Sequence, residues 1–396
     1  MSKTLKKIAE QLKASDKKVQ LIYAFNGVGK TRLSREFKKL IALRNDNDEN
    51  DNNEGDDEAE PTELSRTKIL YYNAFTEDLF YWDNGIEQDA APKLKIQPNS
   101  FTDWVLKDQG QDQNVIANFQ QYAGNKLTPR FNPEYAVQGE NEQEITVKAF
   151  SEVTFSQERG GNDISGNIKI SKGEESNFIW SIFYTLLDQV INVLNVPELG
   201  DRETDQFNQL DYVFIDDPVS SLDENHLIQL AVNLGQMIKA SESNLKFIIS
   251  THNPLFYNVL YNETNAKTGY ILSRFDDGTF ELEAKRGDSN KSFSYHLHIK
   301  KLIEQAIEEN SVQRYHFALL RNLYEKTANF LGYQRWSELL PGDKKAYANR
   351  IMNFYPHNTL TNEEIAEPTA PEKEMVNLLL NNLNEYGYWK QEQQHG

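Results

Sequence analysis

Short apolar runs that end in small or acidic residues recur along this chain, and most are followed by apolar positions three and four apart. Leu21, Ile22 and Tyr23 read as a buried strand, and Leu33, Phe37 and Leu40 place one apolar face on a helix starting near Lys30. Lys68–Asn73 predicts a second strand, and Tyr212–Ile215 and Lys246–Ser250 two further buried ones. Between them, Phe101–Tyr122 has helical spacing until Pro129 and Pro133 break the pattern. Val147–Ile170 alternates polar and apolar residues around Gly160-Gly161, as antiparallel strands do. Lys172 onward is strongly amphipathic, with Phe178, Ile179, Ile182, Phe183, Leu186 and Val190 on its apolar face. Further on, Leu302–Ile307, Tyr315–Gly332 and Lys344–Phe354 carry helical patterns only. An α/β portion, taken as residues 1–280, is therefore expected to give way to a mostly α-helical one, residues 281–396.

Composition narrows the chemistry. A chain of 396 residues with 38 % hydrophobic content can bury substantial cores. It has no cysteine, which excludes disulfides, thiolate zinc sites and cysteine nucleophiles and points to a reducing, cytoplasmic setting. The first residues, MSKTLKKIAEQLK, pattern as an amphipathic helix rather than a signal peptide, and the apolar-rich run Asn177–Leu187 is too short to span a bilayer, so no membrane role is expected. The net charge of −18 argues at first against a nucleic-acid partner, but nine acids and no base fall within Asn45–Glu60, so half of the charge belongs to one segment. A like-charge block of this kind reads as a solvated, disordered loop, residues 45–62.

Candidate chemistry sits where the apolar runs end. After the first strand, NGVGKT (Asn26, Gly27, Gly29, Lys30, Thr31) has the make-up of a phosphate cradle: glycines that let amides turn inward, a lysine for the β/γ-phosphates and a hydroxyl for magnesium. The common pattern begins with glycine where this chain has Ala24. SKGEE (Ser171, Gly173, Glu174) heads the amphipathic helix either as a capping box or as a second phosphate-facing N-terminus. Asp216 and Asp217 end an apolar strand, a place suited to magnesium (Asp216) and to positioning an attacking water (Asp217). His252 ends another, placed to sense a γ-phosphate.

Taken in order, NGVGKT, SKGEE, FIDDP, SSLD and STHN resemble the nucleotide-binding head of the ABC ATPases, in the branch shared by SMC and RecF proteins. The resemblance implies an α/β head with an inserted mixed α/β region. It assigns Lys30 and Thr31 to the P-loop, Ser171 and Gly173 to the signature, Asp216 and Asp217 to Walker B, Ser221 and Asp223 to the D-loop, and His252 to the switch. It places no Q-loop glutamine. The catalytic acid of that class is glutamate, and Asp217 is one methylene shorter, which implies slow hydrolysis suited to a timed switch. Each nucleotide in that class lies between two heads, so a dimer or a pair of dimers is implied.

The last third carries other chemistry. Ala284–Lys301 has Lys285, Arg286, Lys291, Lys300 and Lys301 against one acid, Asp288, with Phe293 and Tyr295 interleaved, a composition that suits single-stranded nucleic acid or a solvated basic segment. Arg321 and Glu325 are four apart and share a helix face, as a structural ion pair or as a site. With His357 they form the parts of a ribonuclease that needs no metal. An RNA supplies its own 2′-OH nucleophile, one of Glu325 and His357 takes its proton, the other protonates the 5′-oxygen, and Arg321 holds the phosphate. The products of that reaction are a 2′,3′-cyclic phosphate and a 5′-OH. Arg350, which forms an R-x6-H pair with His357, is a rival arginine.

End to end, this head, the KRGDSNKS stretch and R-x3-E followed by histidine resemble the bacterial anticodon nucleases. That resemblance implies a mostly α-helical C-terminal nuclease domain that cleaves tRNA-Lys beside the wobble base, with Arg321, Glu325 and His357 as the catalytic set. Lys285, Arg286 and Asp288 would contact the anticodon stem-loop. It further implies ATP or GTP hydrolysis with Mg2+ in the head, dTTP as a stabiliser of the active form, and silencing by a type I restriction-modification complex until phage infection. The alternative is a RecF- or SMC-like DNA-repair ATPase with no nuclease of its own, although the chain has neither heptads nor a Cys-x-x-Cys hook.

Overall fold

The computed structural model describes residues 3–42, 68–83, 92–123, 127–138, 144–159, 163–164, 167–218, 224–266, 268–275, 277–286, 295–342, 345 and 368–386. The chain divides into two compact units, Met1–Ser292 and Phe293–Gly396.

The first unit is built on a six-stranded sheet. Its strands are β1 (Val19–Tyr23), β2 (Ile69–Tyr72), β10 (Tyr212–Asp216), β11 (Lys246–Thr251), β12 (Thr268–Arg274) and β13 (Phe280–Arg286), in the order β13-β12-β1-β11-β10-β2. All neighbours are parallel except the antiparallel β12–β13 pair. Parallel strands are covered on both faces, which is why β1, β10 and β11 carry continuous apolar stretches (Leu21–Tyr23, Tyr212–Ile215 and Phe247–Ile249) rather than alternating ones. On one face lie α1 (Leu5–Lys13) and α2 (Lys30–Ala42), whose Ile8, Leu12, Leu33 and Phe37 pack with Ile22, Phe214 and Ile248 of the sheet. Further helices of this unit are α3 (Asp112–Ala123), α4 (Lys172–Leu194), α5 (Glu224–Ala240) and α6 (Pro254–Glu263). A helix packs closely on the sheet at Gly269 of β12, where a Cβ would lie 1.7 Å from the Tyr257 hydroxyl of α6.

The inserted region forms its own antiparallel sheet from β3 (Phe80–Asp83), β4 (Lys93–Ile96), β5 (Leu127–Phe131) and β8 (Glu152–Arg159), with β9 (Asp163–Ile164) on β8. A two-stranded ribbon, β6 (Tyr135–Gln138) with β7 (Glu144–Val147), completes it. The expected helix over 101–122 is two pieces, a turn at Ser100–Asp103 that widens through Trp104–Asp108 and then α3, with Gly110 at φ +59° between them. Helix α4 ties the two sheets together. Trp180 and Phe183 meet Tyr72 of β2 at 5.2 and 4.9 Å between ring centroids, while Phe178 meets Phe155 of β8 at 5.3 Å. Because both sides are covered, Ser176, Asn177, Ser181 and Thr185 are buried too, and α4 is a core helix rather than the one-faced helix its spacing predicts. Among the described residues of the insert, Glu152 is a buried carboxylate. Glu152 accepts hydrogen bonds from Lys93 and Tyr135, each at 2.7 Å, and from Lys95.

The second unit is helical among its described residues: α7 (Tyr295–Glu308), α8 (Arg314–Leu331), a 3₁₀ turn Trp336–Leu339 and α9 (Ala370–Asn384). Ile299, Ile303, Phe317, Leu320, Leu379 and Leu383 fill its core. The Tyr324 hydroxyl, fully buried, donates to the Leu379 carbonyl at 2.9 Å, and Gly332 at φ +80° stops α8. The domain boundary expected after residue 280 falls later, after Ser292. Glu281–Arg286 pairs along β12 in register, so this stretch closes the first unit's sheet instead of opening the second unit.

Candidate nucleotide site and nuclease pair

The carboxyl ends of parallel strands converge at one edge of a sheet, and here that edge collects the loops after β1, β2, β10 and β11. After β1 the backbone turns through Gly27 at φ +78° and Gly29 at φ +117°, left-handed values that glycine alone adopts without strain. Gly29 is also tight, since a Cβ there would meet the Phe280 ring at 3.3 Å. Ala24, the departure from the common motif, is buried at the end of β1, and its carbonyl accepts from Lys30 Nζ at 3.3 Å. That ammonium also donates to Phe25 O at 3.4 Å and Asn26 Oδ1 at 3.2 Å and lies 3.3 Å from Asp217 Oδ2.

Asp216 and Asp217 are adjacent in sequence and opposite in environment. Asp216 is fully buried; burial pushes its carboxyl above the usual range, against the Ser250 and Thr31 hydroxyls, with Asp217 pushing further up. Ser250 Oγ donates to Asp216 Oδ1 at 2.5 Å, whereas Asp216 Oδ2 is buried with no hydrogen-bond partner. Asp217 stands at φ +56°, and burial would raise its carboxyl, but His252 and Lys30 outweigh that and hold it low. His252 Nδ1 lies 2.6 and 2.8 Å from the two Asp217 carboxylate oxygens.

This donor set fits a nucleotide with magnesium. An orphaned buried carboxylate oxygen on Asp216 beside the Thr31 hydroxyl is the hard-oxygen pair such an ion takes, and the Gly27–Thr31 turn opens the first amides of α2 to phosphate. Bound there, magnesium neutralises phosphate charge. Sequence reasoning missed a neighbouring cluster on β2: the Tyr71 hydroxyl shares a hydrogen with Ser34 at 2.7 Å and accepts from Asn73 Nδ2 at 3.2 Å. Asn73, directly after β2, is the polar residue at that strand's carboxyl end, the same signal that marked Asp217 and His252. Ser171 is the N-cap of α4 in a complete capping box, accepting from Glu174 N at 3.3 Å while Glu174 Oε2 accepts from Ser171 N at 2.7 Å; Gly173 lies in the first turn. Ser221 and Asp223 lie outside the described residues.

In the second unit Arg321 Nε donates to Glu325 Oε1 at 2.8 Å on the partly exposed face of α8, and the guanidinium lies 5.7 Å from the Trp336 ring centroid. His357, Arg350, Lys291 and Asp288 lie outside the described residues. The expected basic strip is divided: Lys285 is paired with Glu283 on β13, Lys300 with Glu304 on α7, and Arg286 ends β13.

Strand order, phosphate loop and acid pair define the first unit as a P-loop ATPase head, and the AAA domain family matches residues 137–366. The chain is 60 % identical over 416 aligned positions to the anticodon nuclease of Escherichia coli, all of each chain being covered. It belongs to the anticodon nuclease family. Solved structures with similarity include an SMC head domain from Thermotoga maritima (12 % identity, 69 % of this chain and 92 % of that one, TM-score 0.28). Another is an SMC head bound to the C-terminal winged-helix domain of ScpA (12 % identity, 70 % and 93 %, TM-score 0.33). Both scores are low, and the class rests on the strand order. Among the described residues no helix is long and apolar enough to cross a membrane.

Proposed function

We propose that this protein is a nucleotide-gated endoribonuclease that cuts tRNA-Lys beside the wobble base, leaving a 2′,3′-cyclic phosphate and a 5′-OH. The observation that carries the reading is the full-length identity to the Escherichia coli anticodon nuclease, with an arginine–carboxylate pair presented on a partly exposed helix face of the second unit. In this reading Arg321 holds the scissile phosphate and its transition-state charge through a planar fork, and Glu325 and His357 share the acid and base roles. The nuclease chemistry itself calls on side chains alone. Lys285, Arg286 and Asp288 contact the anticodon stem-loop.

The head supplies the gate. ATP or GTP with magnesium binds at Gly27–Thr31 and Asp216, His252 senses the γ-phosphate, and dTTP stabilises the active form. Ser171, Gly173 and Asp223 complete the site across a homodimer or pair of dimers. Cytoplasmic silencing by a type I restriction-modification complex, relieved on phage infection, is the setting proposed. The test is to incubate purified protein with total tRNA and each nucleotide. A single anticodon break in tRNA-Lys, absent with Arg321→Ala or His357→Ala, supports the reading, and intact tRNA under every nucleotide condition overturns it.

A further inference from the structure

The cluster on β2 beside the nucleotide site is a chain of hydrogen bonds whose direction follows from counting hydrogens. Ser34, in the second turn of α2, is fully buried, and its hydroxyl donates to the Thr31 carbonyl at 2.9 Å, since a carbonyl can only accept. That bond uses the one hydrogen a serine hydroxyl has. At the 2.7 Å contact with Ser34, Tyr71 is therefore the donor. With its own hydrogen committed, the Tyr71 hydroxyl accepts from Asn73 Nδ2 at 3.2 Å, while Asn73 Oδ1 accepts from the Thr76 hydroxyl at 3.3 Å. The Asn73 amide has one workable orientation, because an oxygen facing Tyr71 would find no hydrogen there. Every hydrogen thus points from the edge of β2 toward the first turn of α2. The chain ends on Thr31, whose own hydroxyl lies against Asp216.

Resting on the nucleotide reading above, we propose that Tyr71 is a positioning residue for magnesium-bound nucleotide: through Ser34 its hydroxyl fixes the Thr31 backbone, and with it the aim of the Thr31 hydroxyl. A helical threonine has more than one side-chain rotamer open to it, so a hydroxyl that must meet a metal gains from a backbone held in place. Packing alone does not account for the phenol. The Tyr71 ring meets Phe214 at 6.2 Å between centroids, and Lys38 Nζ lies 5.2 Å from its centre, contacts that phenylalanine makes equally well. What phenylalanine lacks is the donor to Ser34. Because Ser34 is shut off from solvent, no water replaces that donor.

The experiment uses the full chain and a fluorescent N-methylanthraniloyl ATP, titrated once in EDTA and once in excess MgCl2, with circular dichroism checking the fold of each variant. Wild-type protein is expected to bind more tightly in magnesium. Tyr71→Phe keeps its affinity in EDTA and loses about fivefold in magnesium, the worth of one hydrogen bond. Ser34→Ala gives the same pattern, and the double variant loses no more than either single one, as members of one chain must. If Tyr71→Phe does not fold, Ser34→Ala decides. Three results overturn the positioning role and leave the nucleotide site standing: wild-type affinity of Tyr71→Phe in magnesium, an equal loss in EDTA and magnesium, or a wild-type affinity that magnesium does not change. A wild-type protein that binds no nucleotide in either buffer overturns both readings.

Discussion

Replacing Arg321 by alanine separates an ion pair that holds a helix from one that performs chemistry, because the two roles differ in size by orders of magnitude. As structure, Arg321 contributes an i,i+4 pair with Glu325 on a partly exposed helix face, worth about 0.3–0.5 kcal/mol, and a guanidinium–indole contact with Trp336 worth about 0.5–1 kcal/mol. A loss of about 1–1.5 kcal/mol lowers the melting temperature of a unit this size by roughly 4–12 °C, yet leaves it about 99 % folded or more at 25 °C. A purely structural arginine therefore gives an unchanged cleavage rate at that temperature. As the group that meets charge developing on the phosphate, the same side chain is worth about 100- to 1,000-fold in rate. Single-turnover cleavage of an end-labelled anticodon stem-loop at 25 °C, with a thermal melt of the same samples, reads both quantities. Arg321→Lys keeps the charge but not the fork, and is expected to recover more stability than rate. Cleavage by Arg321→Ala within threefold of wild type refutes the assignment.

Three further outcomes are expected. Asp217→Asn removes the anion that competes with phosphate for Lys30, so nucleotide should bind more tightly while hydrolysis falls; equilibrium binding of a fluorescent analogue that weakened would count against this. Gly269→Ala forces a methyl into the Tyr257 ring and should cost about 2–3 kcal/mol, seen as a melt several degrees lower that Tyr257→Leu partly restores; an unchanged melt would refute the packing argument. Burial would raise Glu152, but Lys93, Lys95 and Tyr135 hold its carboxyl at about 2. Its folded value lies below its unfolded one, so its contribution is present above about pH 4.5 and is lost as the pH falls toward 2. Glu152→Gln should flatten the stability profile in that window, which urea titrations between pH 5 and 2.5 would measure.

Much of the head was legible because its chemistry ends apolar runs. Leu21–Tyr23, Tyr212–Ile215 and Phe247–Ile249 are uniformly apolar since parallel strands are buried on both faces, and glycine, aspartate or histidine then marks the sheet edge. The same rule marks Asn73, but its four-residue strand follows a long acidic segment and its tyrosines blur the apolar signal. Two features could not be read. The burial of Ser176, Asn177, Ser181 and Thr185 depends on a second sheet covering α4, which no local spacing encodes. Nor does Phe280–Arg286 announce its strand partner: Glu281, Glu283 and Lys285 give it the polarity of an edge, and only its pairing with β12 assigns it to the head.

The Asp217 cluster and the Arg321–Glu325 pair lie in different dielectric surroundings, and that difference sets what each can do. Asp217 is largely enclosed, with His252 against both its oxygens and Lys30 against Oδ2, so its charged form is favoured and its basicity reduced. An acid held in this way is a poor proton acceptor near neutrality, which agrees with the slow hydrolysis expected from its short side chain. Glu325 meets its arginine on a partly exposed face, where water screens the pair and Arg321 can turn to a phosphate at small cost. For the gate proposed above, a slow head would let the bound nucleotide set how long the nuclease stays competent, and a screened ion pair would add no delay of its own.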